Sequence, residues 1–184
     1  IRKQIQELQD PPLISLLMPV YNTAPDLLRQ AIDSVRNQIY PHWELCIADD
    51  ASPNPEIKII LEDYCCIDSR IHVVFRKSNG NICAASNSAL ELCTGTYTAL
   101  MDHDDLLPEI ALYFVAVEII QHPDVMLIYS DEDKLSPEGE RYGPYFKPDW
   151  NEPLLLAQNY FNHLCVYNTS LIREIGGFRL GYEG

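Results

Sequence analysis

Positive charge is what this sequence has least of. Thirteen Lys and Arg stand against 27 Asp and Glu over 184 residues, a formal net charge of −14. A duplex nucleic-acid surface needs clustered cations to displace counterions, so that class of partner is excluded. A nucleotide ligand is not, because a divalent cation and backbone N–H groups can hold its phosphates. Long apolar runs are missing too. The longest candidate, IALYFVAVEII (110–120), carries Glu118 and falls short of the roughly 20 residues a membrane span needs. No secretory pattern is recognisable either, so a soluble chain is expected, with any membrane anchor elsewhere in a longer protein.

The sequence also has no CxxC pair and no matching His spacing, which excludes the usual zinc frameworks. Its six cysteines are Cys46, Cys65, Cys66, Cys83, Cys93 and Cys165. The even count invites disulfides, but most lie inside apolar periodic segments and read as small core residues. Cys65 and Cys66 are adjacent, and a vicinal disulfide strains the backbone. A reducing, cytoplasmic setting is expected. Internal repeats and low-complexity tracts are absent.

What is there is alternation. IRKQIQELQD reads as a polar leader or linker over 1–12, stopped by Pro11 and Pro12, before a single domain over 13–184. LISLLMPVY (13–21) is apolar without a break, as a strand buried on both faces must be. Leu27, Leu28, Ala31, Ile32 and Val35 then recur at helical spacing after Pro25. The pattern repeats: strands over 43–50, 71–75, 97–102 and 125–130, and helices over 56–65, 82–93 and 109–121. After residue 135 a Pro-, Gly- and aromatic-rich stretch reads as irregular. A helix (154–161), a strand (163–168) and a helix stopped by Gly176 and Gly177 follow. Such alternation implies an α/β fold with a mostly parallel sheet and right-handed crossovers. Ligands then bind beyond the carboxyl ends of the strands. Four of those ends carry Tyr21–Asn22, Asp49–Asp50, Asp102–Asp105 and Asp131–Asp133, and they converge on one rim.

LMDHDDLLPE (100–109) crowds Asp102, Asp104 and Asp105 around His103, and like charges this close raise the cost of ionisation. One reading is a solvated turn with Asp105 capping the next helix. The other is a hard divalent cation that takes carboxylate oxygens and keeps positions open for phosphate. The cap explains one acid of three, and the strand-end position favours the cation. For Asp49 and Asp50 two readings stand level: an Asx turn through ASPN, or a carboxylate accepting the N3–H of uracil or thymine.

MPVYN (18–22), ADDAS (48–52), RKSNGNICAASNSAL (76–90), MDHDDLLPE (101–109) and GGFRLGYEG (176–184) occur in an order and spacing that resemble the inverting family 2 glycosyltransferases. The likeness runs from about Leu13 to Gly184. YSDEDKL and YFKPDW further resemble the bacterial branch that builds O-antigens and other surface polysaccharides. The resemblance implies a GT-A fold, a Rossmann-like and mostly parallel sheet flanked by helices. It implies that Pro19, Tyr21 and Asn22 line the nucleotide pocket and that Asp49 and Asp50 meet the base. Arg76 and Asn79 would lie near the ribose and diphosphate, with Asn87 bracing that loop. Asp102 would approach the ribose, and Asp104 would hold Mn2+ or Mg2+, with Asp105 as alternative or outer ligand. Asp131, Glu132 and Asp133 would face the sugar or acceptor, unless they are a solvated loop. His163 reads as a core histidine with the acceptor side as its alternative, and Trp150 either stacks on an acceptor sugar or packs under the loop.

Two departures stand out. Asn81 occupies a position where the family has Gly, and Asn tolerates the left-handed conformation. The family's general base follows the GGFRLGYEG segment and is expected beyond Gly184, with Glu183 the only late acid before it. The implied function is transfer, with inversion, from a UDP- or dTDP-sugar to a glycan or lipid-linked glycan acceptor. That activity is expected in the cytoplasm, at the inner face of the membrane through parts outside this chain. The fragment itself is expected to bind donor and metal and to be impaired in transfer. The alternative is a non-catalytic nucleotide-sugar-binding module within a larger protein. A receiver-like phospho-acceptor domain is set aside, because it needs an acid pair where Tyr21 and Asn22 stand.

Overall fold

A computed structural model of the chain describes residues 1–182. Strands β1 (Ile14–Val20) and β2 (Trp43–Asp49) are buried at every position. Runs without polar alternation are stable only when both faces are covered. Alternate residues divide between two cores: Leu16, Met18 and Val20 face one, while Leu17, Cys46 and Ala48 face the other. The polar interruptions of the two runs satisfy each other, as Ser15 Oγ donates to Glu44 Oε1 at 2.6 Å.

Strands β3 (Ile71–Phe75) and β4 (Tyr97–Leu100) complete the parallel half, in the order β3-β2-β1-β4. The larger core is covered by α2 (Pro25–Arg36), α3 (Pro55–Ile67) and α5 (Ala111–Gln121). α2 starts at its proline and buries Leu28, Ala31, Ile32 and Val35, one stripe at helical spacing. Asn54 caps α3, its side chain accepting from Glu56 N at 3.0 Å. On the opposite face α4 (Asn81–Leu90) packs Ala85, Ala89 and Leu90 against the sheet. The stretch read as a leader or linker contains a short helix, α1 (Arg2–Gln6), and its Ile5 and Leu8 pack against the larger core.

The second half is where structure and sequence reading part. β5 (Leu127–Tyr129) continues the sheet, followed by β6 (Glu132–Leu135) and β7 (Arg141–Tyr145), which pair into a separate antiparallel hairpin. The stretch read as irregular therefore holds a strand, disguised by Gly143 at φ +58, by Pro144 and by its exposure. α6 (Glu152–Ala157) stops short of the expected end at 161, because Tyr160 and Phe161 leave the helix to bury with Cys165 in an aromatic cluster. α4 and α5 are likewise shorter than read. β8 (Cys165–Asn168) lies between β4 and β5, antiparallel to both, and α7 (Thr169–Glu174) follows it. Among the described residues no disulfide forms, and no helix is long and apolar enough to cross a membrane.

Candidate functional site

All the parallel strands, and β5 beyond β8, end on one rim. The chain winds outward through β1, β2 and β3, then crosses to β4 on the other side of β1. Such a switch point opens a crevice at the carboxyl ends. A pocket of about 140 Å3 occupies it, lined by Pro19, Ile82, Ser86, Leu100, Asp102 and Phe178 among others. Backbone bonds hold the rim together: Asp50 N to Val20 O at 2.8 Å, Arg76 N to Asp49 O at 2.9 Å and Met101 N to Leu17 O at 3.0 Å.

Asp50 is 2% exposed. Its Oδ1 accepts from Arg76 Nε at 2.7 Å, and its Oδ2 from Gly80 N at 3.0 Å. Arg76 Nη1 donates to Ala84 O at 2.8 Å and to Ser88 Oγ at 2.6 Å. A charge this deep persists only when paired and fully bonded. Arg76, expected beside ribose and diphosphate, is therefore turned inward onto Asp50. The loop between them can wrap so tightly only at glycine: a Cβ on Gly80 would meet Arg76 Nη2 at 2.6 Å and Ala84 Cβ at 2.9 Å. Asn79 Nδ2 reaches Asp50 O at 3.4 Å, and Asn81 takes the left-handed conformation, φ +63.

Among the described residues the Asp49 carboxylate accepts one hydrogen bond, from Ser52 N at 3.3 Å. Of the two adjacent acids it is the one with oxygen capacity left for a ligand. Asn22, at φ +48, donates its N–H to Ser52 Oγ at 2.8 Å, and Tyr21 is exposed beside it. Asn87 braces a different segment from the one expected. Its amide donates to Phe178 O and accepts from Phe178 N, both at 2.8 Å. Gly177, at φ +74, leaves room for that clamp.

The acidic turn is shaped by strand direction. Leu100 of β4 pairs with Cys165 of antiparallel β8. Residues two beyond β4 and two before β8 therefore meet: Asp102 and His163. Donor atoms of Asp102, Asp105 and His163 all lie within 4.8 Å of one another. Asp105 Oδ2 is 2.8 Å from His163 Nδ1, yet it is buried without a well-aligned hydrogen bond. His103 Nδ1 contacts Pro19 O at 3.0 Å and ties the turn to β1. Asp104, read from the sequence as the main metal residue, is exposed and outside the group, while Asp105 is drawn into it.

Burial pushes the Asp102 carboxyl above its ordinary range, and the charges of Asp105 and Asp104 add to this against the pull of His163 and His103. Contact with Asp105 raises the His163 ring against the opposing effect of burial. His163 is thus no core histidine, its side chain being 42% exposed. Carboxylate and imidazole donors around an orphaned buried oxygen fit a hard or borderline divalent cation such as Mn2+ or Mg2+.

The acids at 131–133 are engaged within and below the hairpin. Asp131 Oδ1 accepts from Lys147 N at 2.7 Å, Glu132 Oε2 lies 2.9 Å from Lys147 Nζ, and Asp133 Oδ2 accepts from Arg141 Nε at 2.6 Å. Trp150 stacks on Phe161 (5.7 Å, 30°), which stacks on Tyr129 (4.8 Å, 30°). Its outer surface remains open, at 61% exposure. Glu183, the late acid noted above, lies outside the described residues.

A mostly parallel six-stranded sheet with this acidic rim has the architecture of the GT-A glycosyltransferases. The chain belongs to glycosyl transferase family 2, whose family model matches residues 15–176. It is 51% identical over 98% of its length to the uncharacterized protein y4gI of Sinorhizobium fredii. It is 35% identical over its whole length to the O-antigen biosynthesis protein RfbC of Myxococcus xanthus. These alignments span 20% and 14% of the two relatives. Among solved structures, the mannosyltransferase PcManGT of Pyrobaculum calidifontis, in complex with GDP-Man and Mn2+, superposes with TM-score 0.70 at 19% identity. That match covers 98% of this chain and 53% of PcManGT.

Proposed function

We propose that this chain is the nucleotide-sugar-binding domain of a metal-dependent glycosyltransferase that builds a bacterial surface polysaccharide. Its donor would be a UDP- or dTDP-sugar, its acceptor a glycan or lipid-linked glycan, and transfer would proceed with inversion. The observation that carries this reading is the convergence of Asp102, Asp105 and His163 at the mouth of the switch-point pocket, in a chain of this family. RfbC, named for O-antigen biosynthesis, supports the polysaccharide assignment. The Mn2+ bound with GDP-Man in PcManGT supports the metal.

In this reading the nucleoside lies over Pro19 and Tyr21, and Asp49 accepts from the base. Asp50 and Arg76 act indirectly, by fixing the loop through Asn79 and Gly80. Asp102, Asp105 and His163 hold Mn2+ or Mg2+, with Asp104 at the open side. When bound, the ion would offset charge gathering on the departing diphosphate. Trp150 and the 131–133 edge would flank the sugar and acceptor. The test offers a panel of UDP-, dTDP-, GDP- and CDP-sugars, with Mn2+ and bacterial glycan acceptors, to the full-length glycosyltransferase that carries this domain, with released diphosphate and product anomer read by NMR. An inverted product from a uridine or thymidine donor is the expected outcome. Release only from guanosine or cytidine donors, a retained anomer, or no release at all would overturn it.

A further inference from the structure

Lys147 is a lysine whose side chain is 1% exposed, in a part of the molecule that is otherwise largely open. Burying an ammonium is costly unless every donor finds a partner. Here Nζ donates to the His163 carbonyl at 2.9 Å and to the Asn162 carbonyl, and the Glu132 carboxylate pairs with it at 2.9 Å as an ion pair without an aligned hydrogen bond. The Lys147 backbone N–H also donates to Asp131 Oδ1 at 2.7 Å. On its far side the same loop is held by Ser130, whose Oγ accepts from Leu164 N at 3.0 Å and whose N–H donates to Leu164 O at 3.2 Å. Residues 162–164 are thus gripped from both sides. The middle residue, His163, has a left-handed backbone (φ +42), a conformation uncommon outside glycine.

We propose that Lys147 is a positioning residue for the metal site. It holds the backbone of residues 162 and 163 so that the His163 imidazole stays beside Asp102 and Asp105, and through Glu132 it couples that geometry to the hairpin. The inference rests on the metal reading above for its consequence, but not for its geometry. Outer partners that orient a ligating histidine typically control metal affinity by about 10–100-fold. Lys147 would do so through the main chain rather than through the ring.

The test uses Lys147→Met, which keeps the apolar stem, Lys147→Arg, which keeps the charge, His163→Ala and the Lys147→Met/His163→Ala double variant. Mn2+ affinity is measured by electron paramagnetic resonance, and the histidine ring signals by NMR without metal. Lys147→Met should weaken Mn2+ binding by about 10–100-fold. The double variant should be no weaker than His163→Ala, and Lys147→Arg should recover much of the loss. In the metal-free spectrum Lys147→Met should shift the His163 ring signals and leave those of His42 and His72 in place. Unmoved His163 signals, or additive losses in the double variant, would overturn the proposal. Absence of Mn2+ binding by the unaltered protein would sink the metal reading alone, and the ring signals would still decide the role of Lys147.

Discussion

Asp104 and Asp105 are neighbours in sequence, but Asp104 is exposed while Asp105 lies 2.8 Å from His163. The substitution Asp105→Ala should therefore weaken Mn2+ binding by more than the roughly 10–100-fold expected of an outer partner, and Asp104→Ala by less. Titration of the two variants side by side checks the order. Asp50 makes a different prediction. Removing one member of a buried ion pair strands the other, at a cost of about 3–5 kcal/mol. Urea denaturation of Asp50→Ala should show a loss in that range, because Arg76 keeps its inward position without its carboxylate. The sequence marks both acid clusters but not which member of each does what. Asp50 looks like a ligand residue until Arg76 and Gly80 are seen to saturate it.

At the scale of elements, the opposite end of the sheet is sewn by Glu44 at the start of β2. Its carboxylate accepts from Ser15 Oγ at 2.6 Å, Thr94 N at 2.5 Å and Gly95 N at 3.0 Å. Burial alone would raise the Glu44 carboxyl, but the hydrogen bonds from Ser15, Thr94 and Gly95 outweigh it and hold the group below its ordinary value. A depressed folded-state value means the stabilisation is complete above the ordinary glutamate pKa of about 4.3 and is lost as pH falls through the lowered value. Glu44→Gln should flatten that acid limb of the stability curve, as measured by urea midpoints across pH. Gly95→Ala should cost about 1–3 kcal/mol by thermal melting, as an overpacked site does, because the new Cβ would sit 2.6 Å from Leu13 O and 2.7 Å from Ser15 Oγ.

The parallel strands were legible because an unbroken apolar run has few other ways to be buried. Hydrophobic pattern carries no sign of direction, however. β8 reads as a strand from its residues, but only the fold shows it running against β4. That reversal carries His163 from an expected core position to the rim. β7 was illegible for a plainer reason: RYGPY is exposed throughout and broken by Gly and Pro, so no alternation marks it. Lys147 lay in plain view within YFKPDW, yet a single lysine in a polar loop gives no hint that it will be buried.

At the scale of the whole molecule, a net charge of −14 works against any diphosphate approaching the rim. Without a divalent cation, a nucleoside diphosphate should bind weakly and bind better as salt screens the repulsion. With the cation, most of the negative charge of the acidic turn is offset and the same ligand should bind well. The most direct measurement is a calorimetric titration with UDP, with and without Mn2+, on the unaltered chain and on Asp105→Ala. The account predicts binding that requires Mn2+ and is lost in the variant. Binding that is equally tight without Mn2+, or that survives in Asp105→Ala, would contradict it.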